Sequence, residues 1–288
     1  MLLAWQRHST ALKRCNARHY NRVTIMPRCN MCAFYEDAHS RLRGLVSMVL
    51  CQCRKARHLE DRDGRKPIMK KFIVLDTEAT NTGKKNAARF GVGASVYDLG
   101  YIVADASGAV YYQNRVIIAD TFNDAALMRS AYYADKLPQY YAELANGCKL
   151  MTMRDALKTL RGDIRTYGVK DVWAYNARFD ADALNSSVSQ ASNGFVQWAL
   201  PYGVKWRDIM RYAQSTVCAT KKYRAWCEGR ELLTKAGRPR VTAEAVYQYL
   251  TGDHDYIEEH TALSDAQDEL AILLACLKRK KKMPKRFN

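Results

Sequence analysis

The segment KFIVLDTEAT, Lys71 to Thr80, joins an apolar run to two acids at alternate positions. Phe72 to Leu75 read as a buried strand. Residues two apart on a strand share a face, so Asp76 and Glu78 point to one side at the strand's end and Thr77 points away. Carboxylates held that close repel, and a cation between them removes the conflict. Hard divalent ions such as Mg²⁺ favour carboxylate oxygen. Two further segments carry residues of the same kind. In DVWAYNARFDADAL, Asp171 to Leu184, an apolar run from Val172 to Tyr175 breaks at Asn176 and resumes as a helical pattern with Phe179, Ala183 and Leu184. Asp180 falls in the first turn of that helix, where an acid suits the dipole. In EEHTALSDAQDELAILLACL, Glu258 to Leu277, His260 precedes Asp265 by five residues, and apolar residues at 270, 273, 274 and 277 mark a helix face. Taken singly, an acid at a helix start is a cap and a lone histidine is structural. Three such segments in one chain point instead to a metal-dependent site on a sheet.

The series DTE, NARFD and HTALSD resembles the three motifs of the DEDDh (DnaQ-like) 3′–5′ exonucleases, phage and bacterial type. The group includes proofreading subunits of replicative polymerases, RNase T and oligoribonuclease. The resemblance covers roughly residues 69 to 279, and the step from His260 to Asp265 suits the histidine subgroup. Tyr175 stands where the second motif often has histidine, a change that bears on substrate contacts more than on chemistry. The resemblance implies phosphodiester hydrolysis with two Mg²⁺ or Mn²⁺ ions, roughly 3.5–4 Å apart, clamping the attacking and leaving oxygens. Asp76, Glu78, Asp180 and Asp265 would be the metal ligands. His260 would be the general base, an imidazole with an ordinary pKa near 6.5 suiting that task. Thr80, Asn176 and Phe179 would touch substrate. The implied partner is the 3′ end of a single-stranded nucleic acid, DNA before RNA, with a DNA polymerase as a candidate protein partner. An exoribonuclease and a non-catalytic module that reads 3′ ends stay open.

The elements that must position these residues are partly legible. The resemblance implies an α/β fold with a ribonuclease-H-like mixed five-stranded sheet flanked by helices. Asp98 to Asp105 and Val110 to Ile118 read as strands joined by a hairpin at Ala106-Ser107-Gly108. Residues 120 to 146 read as helical, interrupted near Pro138. Thr152 caps a helix that Gly168 ends. A strand follows at 171–175. VKWRDIMRYAQ, Val204 to Gln214, resembles the family's helix between the second and third motifs. Pattern alone leaves the fifth strand unplaced. The loop from Asn81 to Gly91 is rich in turn residues and cations.

The chain has 288 residues and a formal net charge of +17. That charge favours a polyanion such as nucleic acid. Residues 1–70 carry 15 Lys/Arg against 5 Asp/Glu, and a basic tail closes the chain at 280–288. Between Lys221 and Arg240, Tyr223 and Trp226 are interleaved with cations, as in proteins that stack and neutralise single strands. No apolar run approaches 18 residues, so no membrane helix is expected. Nine scattered cysteines and no secretory signal indicate a reducing, cytoplasmic setting. Cys29, Cys32, Cys51 and Cys53 could hold a structural zinc. The tight second pair and the helix-like segment between them argue against it. MKKFIVLDTEAT, from Met69, reads as a natural start, which makes residues 1–68 an upstream extension without a stable fold. Mass spectrometry of the natively expressed protein is expected to find no peptide from residues 1–60.

Overall fold

The structure is a computed structural model that describes residues 69–80, 93–129, 131 and 133–279. The extension with its four cysteines, the 81–91 loop and the basic tail lie outside the described residues. Among the described residues, six strands form one sheet: β1 (Lys71–Ala79), β2 (Val96–Asp105), β3 (Val110–Ile118), β4 (Lys149–Met151), β5 (Asp171–Ala174) and β6 (Lys205–Asp208). Their order is β4-β3-β2-β1-β5-β6. β2 runs antiparallel to both neighbours, and every other pairing is parallel. Five strands therefore end at the same edge of the sheet, and β1 brings Asp76 and Glu78 to it.

The expected α/β architecture, a mixed sheet flanked by helices, is the one found, with one more strand among the described residues than the five expected. β4 is the addition, three residues paired with the outer edge of β3. The unplaced fifth strand is β6, inside the segment read as helix. Lys205–Asp208 pairs with β5, and the helix begins only at Ile209, passing after Ala213 into a π-helical turn over Gln214–Cys218. Pro138 does not interrupt a helix but lies in the first turn of one, where its missing N–H costs nothing.

The helices, in chain order, are α1 (Ala119–Phe122), α2 (Ala125–Met128), α3 (Leu137–Ala145), α4 (Met153–Tyr167), α5 (Arg178–Ala191), α6 (Ile209–Ala213), α7 (Lys221–Gly229), α8 (Ala243–Thr251) and α9 (Ala262–Lys278). α4 shows how locally the sequence acts. Thr152 accepts a hydrogen bond from the Asp155 N–H at its start, and Gly168 ends it in the left-handed region. Met153, Ala156, Leu157, Leu160 and Ile164 recur at helical spacing and are buried. Each large side chain among them contributes about 1.5–3 kcal/mol by leaving water.

Alternation divides the sheet between two helical layers. Ile73, Leu75 and Ala79 of β1 and Leu99, Tyr101 and Val103 of β2 pack with α4 and α5. The intervening residues face the layer that contains α9. Asp76 pairs with Gly100 and Glu78 with Asp98 across the β1–β2 ladder. A Cβ on Gly100 would lie 2.3 Å from the backbone of Ala262 and Leu263. The missing side chain is what lets the start of α9 close down beside the acids of β1.

Gly100→Ala is therefore expected to destabilise the protein by about 1–3 kcal/mol, the usual cost of overpacking. Gly162→Ala, in α4 with open space around the new methyl, is expected to stabilise by about 0.4–1 kcal/mol. Urea denaturation of both variants checks the pair; equal effects would remove the close approach as the reason for the glycine.

Candidate active site

β1 runs to Ala79, so Asp76 and Glu78 lie among its last residues, as expected, with the β1–β2 register shifting just after Glu78. Glu78 is buried and Asp76 half-buried. Thr77 faces the other layer and engages Asp180. Its backbone N–H and its hydroxyl both donate to Asp180 Oδ1, at 3.1 and 2.9 Å. Asp180 is in the first turn of α5, as the sequence indicates, and is buried. The turn into α5 is made by Asn176 at φ 58°, a conformation that asparagine tolerates.

The third segment arrives from the other layer. His260 and Thr261 precede α9, and Asp265 lies in its first turn. Thr261 makes no side-chain cap. The carboxylate of buried Asp98 substitutes for one, accepting the Ala262 N–H at 3.2 Å. Arg115 and Tyr140 also donate to Asp98, and Arg115 reaches Glu143 on α3 at 2.8 Å. Asp98 thus ties β2, β3, α3 and α9 at one point.

Among the described residues, one group of three or more potential ligands has all its donor atoms within 4.8 Å: Glu78, His260 and Asp265. His260 Nδ1 lies 3.8 Å from Asp265 and 3.9 Å from Glu258. Asp76 and Asp180 stand outside that trio but within electrostatic reach of it. Of the expected substrate contacts, Asn176 and Phe179 are exposed beside Asp180. Thr80 is buried, and its hydroxyl oxygen accepts the Ser95 N–H at 3.0 Å.

Burial without a neutralising partner dominates the electrostatics. Desolvation, then Asp265 and Asp98, raise Glu78 to about 9. Asp180 and Asp265 each rise to about 7, again mainly by burial. Asp76 is raised by burial, then by Glu269, Asp180, Glu78 and Asp265. His260 moves the other way. Burial and then the charge of Lys136 hold it below its ordinary value, so the ring is neutral at pH 7. It stacks on Tyr133 with ring centres 4.2 Å apart and adopts φ 49°. Lys136 donates to the Glu259 carbonyl, fixing the segment that carries Tyr133 against this loop.

Several of these residues escape a reading of the sequence. Glu269 is buried, takes a hydrogen bond from the Tyr175 backbone, and leaves Oε2 without a partner. Its position one helical turn after Asp265 is a signal that could have marked it. Asp98, Tyr133 and Lys136 carry no such local mark. Tyr175 is engaged through its hydroxyl, which donates to the Val241 carbonyl at 2.6 Å. Tyr223 is wholly buried, and Trp226 packs on Tyr249, His254 and Arg230. The aromatics of the 221–240 stretch are thus packing residues, not a stacking surface.

No family model matches the chain, and no curated protein does. Solved structures similar to it include Escherichia coli exonuclease I in complex with a dT13 oligonucleotide, at 12% identity and a TM-score of 0.44. That likeness covers 73% of this chain and 42% of the other. The same enzyme with a dA16 oligonucleotide gives 15% identity and 0.40, over 72% and 40%. The RNase domain of the yeast Pop2 protein gives 12% and 0.40, over 83% of each chain. The chain thus spans about two-fifths of the length of exonuclease I. At these identities and TM-scores the likeness carries no argument about chemistry. The described residues contain no helix long and apolar enough to cross a membrane, and Cys148, Cys218, Cys227 and Cys276 are free thiols.

The raised carboxylates make stability depend on pH. Each binds more protons folded than unfolded, so its contribution is fully present below the unfolded pKa near 4 and is lost as pH rises through the folded values. For Asp180 and Asp265 that value is about 7, and for Glu78 about 9. In EDTA the melting temperature should therefore fall between about pH 5 and about pH 9. Asp265→Asn should flatten the fall, and Mg²⁺ should reverse it at the alkaline end. A metal-free melting temperature that rises across this range would contradict the charge pattern.

Proposed function

We propose that this protein is a metal-dependent 3′–5′ exonuclease acting on single-stranded nucleic acid, DNA in preference to RNA. The observation that carries the reading is the convergence of Glu78, His260 and Asp265 within 4.8 Å, with Asp76 and Asp180 beside them, from three distant segments. The residues fit a hard divalent cation. The donors are carboxylate oxygens and an imidazole, and Asp265 Oδ1 is buried with no hydrogen-bond partner. The 3′–5′ direction rests on the order and spacing of the motifs at 76–78, 176–180 and 260–265.

Asp76, Glu78, Asp180 and Asp265 would hold Mg²⁺ or Mn²⁺. Bound ions would supply the charge neutralisation and water activation that phosphodiester hydrolysis needs. His260, neutral at pH 7, would accept the proton of the attacking water. The bond broken joins phosphorus to the 3′-oxygen of the penultimate nucleotide; the products are a nucleoside 5′-monophosphate and a shortened strand with a free 3′-hydroxyl. Thr77 keeps one oxygen of Asp180 engaged and so fixes the direction of the other. Tyr133 stacks on the imidazole, and burial together with the charge of Lys136 favours the unprotonated ring. Asn176 and Phe179, exposed beside Asp180, would meet the terminal nucleotide.

The direct test incubates the purified protein with end-labelled single-stranded DNA and RNA, with Mg²⁺ or Mn²⁺ and with EDTA. Stepwise shortening from the 3′ end that EDTA stops is expected, faster on DNA. Binding without cleavage under every metal condition would make the protein a 3′-end-binding module instead.

Asp76→Ala and Asp265→Ala are each expected to abolish cleavage while leaving the circular dichroism spectrum unchanged. Wild-type turnover by either at saturating Mg²⁺ would remove that residue from the metal site. His260→Ala separates base from ligand. Its turnover should fall by about 10²–10⁴-fold, the usual range for a lost general base, with metal affinity by calorimetry nearly unchanged. The wild-type rate should rise through a titration lying below the ordinary imidazole pKa, and that limb should vanish in the variant. Weakened metal binding with an unaltered pH profile would make His260 a ligand.

A further inference from the structure

Among the described residues, the most exposed aromatic side chains lie away from the acids. Phe195 is 92% exposed, Trp198 69%, and Tyr202 wholly so. All three belong to the connection between α5 and β6. α5 starts at the sheet edge that carries Asp76 and Glu78 and runs back beneath the sheet. Its 14 residues span about 20 Å at 1.5 Å each, so the connection lies at the opposite edge.

This connection is held in shape by polar contacts. The Ala199 N–H donates to Asn185 Oδ1 at 2.8 Å, and the Val196 N–H donates to Ser192 Oγ at 2.9 Å. Arg161 of α4 donates to the carbonyls of Ala199 and Trp198, at 2.9 and 2.6 Å. Ala199 is thereby anchored in the core, while the neighbouring rings stay in water. Rings fixed outward on a pinned backbone need little ordering when a ligand arrives.

Their surroundings are basic. Arg165 joins the three rings in lining a shallow groove of about 440 Å³, whose lining contains no acid. Arg154, Lys158 and Arg165 are exposed at four- and seven-residue steps of α4, which puts them on one face. α4 begins after β4, at the edge where the acids lie, and ends beside the aromatic groove. The three cations therefore form a ridge of about 16 Å leading from one edge to the other.

We propose that this aromatic and basic surface is a second binding site for single-stranded nucleic acid, holding the strand away from the end being cleaved. Ring faces suit unpaired bases of any sequence, and interspersed cations suit the phosphates between them. Charge complementarity favours this occupant over a second copy of the chain, which would bring an identical cationic ridge against the first. The inference deepens the exonuclease reading and rests on it for the polymer class, but binding at this surface can be measured without catalysis.

The test measures fluorescence anisotropy of labelled oligo(dT) and oligo(U) of about twenty nucleotides, a length that covers more than one stacking unit. EDTA is present throughout, so no cleavage occurs. Trp198→Ala/Tyr202→Ala, which removes two solvent-exposed rings, is expected to weaken binding roughly tenfold or more. Arg165→Gln should lower the slope of log affinity against log salt by about one. Hydrolysis of a dinucleotide, too short to reach from the acids to the rings, should match wild type in both variants. Unchanged affinity for the long oligonucleotides in the ring variant would overturn the proposal. So would unchanged affinity together with conversion of a wild-type dimer to monomer in sedimentation, which would make the surface a self-association face. Failure of the wild type to hydrolyse anything would defeat the exonuclease reading alone, because the binding measurement contains no turnover.

Discussion

Like-charge crowding is the constraint around which this protein is built. Burial strips Asp76, Glu78, Asp180, Asp265 and Glu269 of water at the edge of one sheet, and neighbouring carboxylates raise each of them further. Such an arrangement is unfavourable unless neighbouring structure over-determines it. The contacts that do so are polar and long-range. Thr77 holds Asp180 across the strand, the Tyr175 backbone holds Glu269, and Asp98 holds the start of α9. Each connects an acid-bearing segment to a different part of the chain. The site is therefore a property of the assembled sheet and its two helical layers, not of any one motif.

Asp98 shows how support and chemistry can share a residue type. It too is buried, but Arg115 and Tyr140 satisfy its oxygens. Glu78, its partner in the β1–β2 ladder, has no comparable cation. Two facing acids on adjacent strands thus have different environments: one is closed off as a structural joint, the other is left to be neutralised from outside. The same logic separates His260, kept neutral by burial and Lys136, from the carboxylates around it.

Where local patterns decide structure, the sequence reads well. The apolar run of β1, the hairpin between β2 and β3, and the Thr152 and Gly168 ends of α4 are all written in short windows. β6 is not, because Lys205–Asp208 carries three charges in four residues and becomes a strand only by pairing with β5. β4 escapes because three residues are too few to show an alternation. Aromatics mislead in both directions. Tyr223 and Trp226 sit among cations in sequence yet pack inward, while Phe195, Trp198 and Tyr202 lie in an unremarked connection and face out. Which way a ring points is settled by the surface it meets, and that surface comes from elsewhere in the chain. For the site, the motif residues and the i to i+4 step from Asp265 to Glu269 are visible in sequence, but the reach of Asp98 to Ala262 spans 164 positions and leaves no periodic trace.

The absent side chain at Gly100 has an evolutionary consequence. Every amino acid that a mutation could put there carries a Cβ, and every Cβ would meet the backbone where α9 begins. A crowded side chain can be exchanged for a smaller one when its neighbour grows; a crowded glycine has nothing smaller to become. Divergence at this point must therefore wait for a prior change in the path of α9 itself, and the position should drift far more slowly than the surface around it.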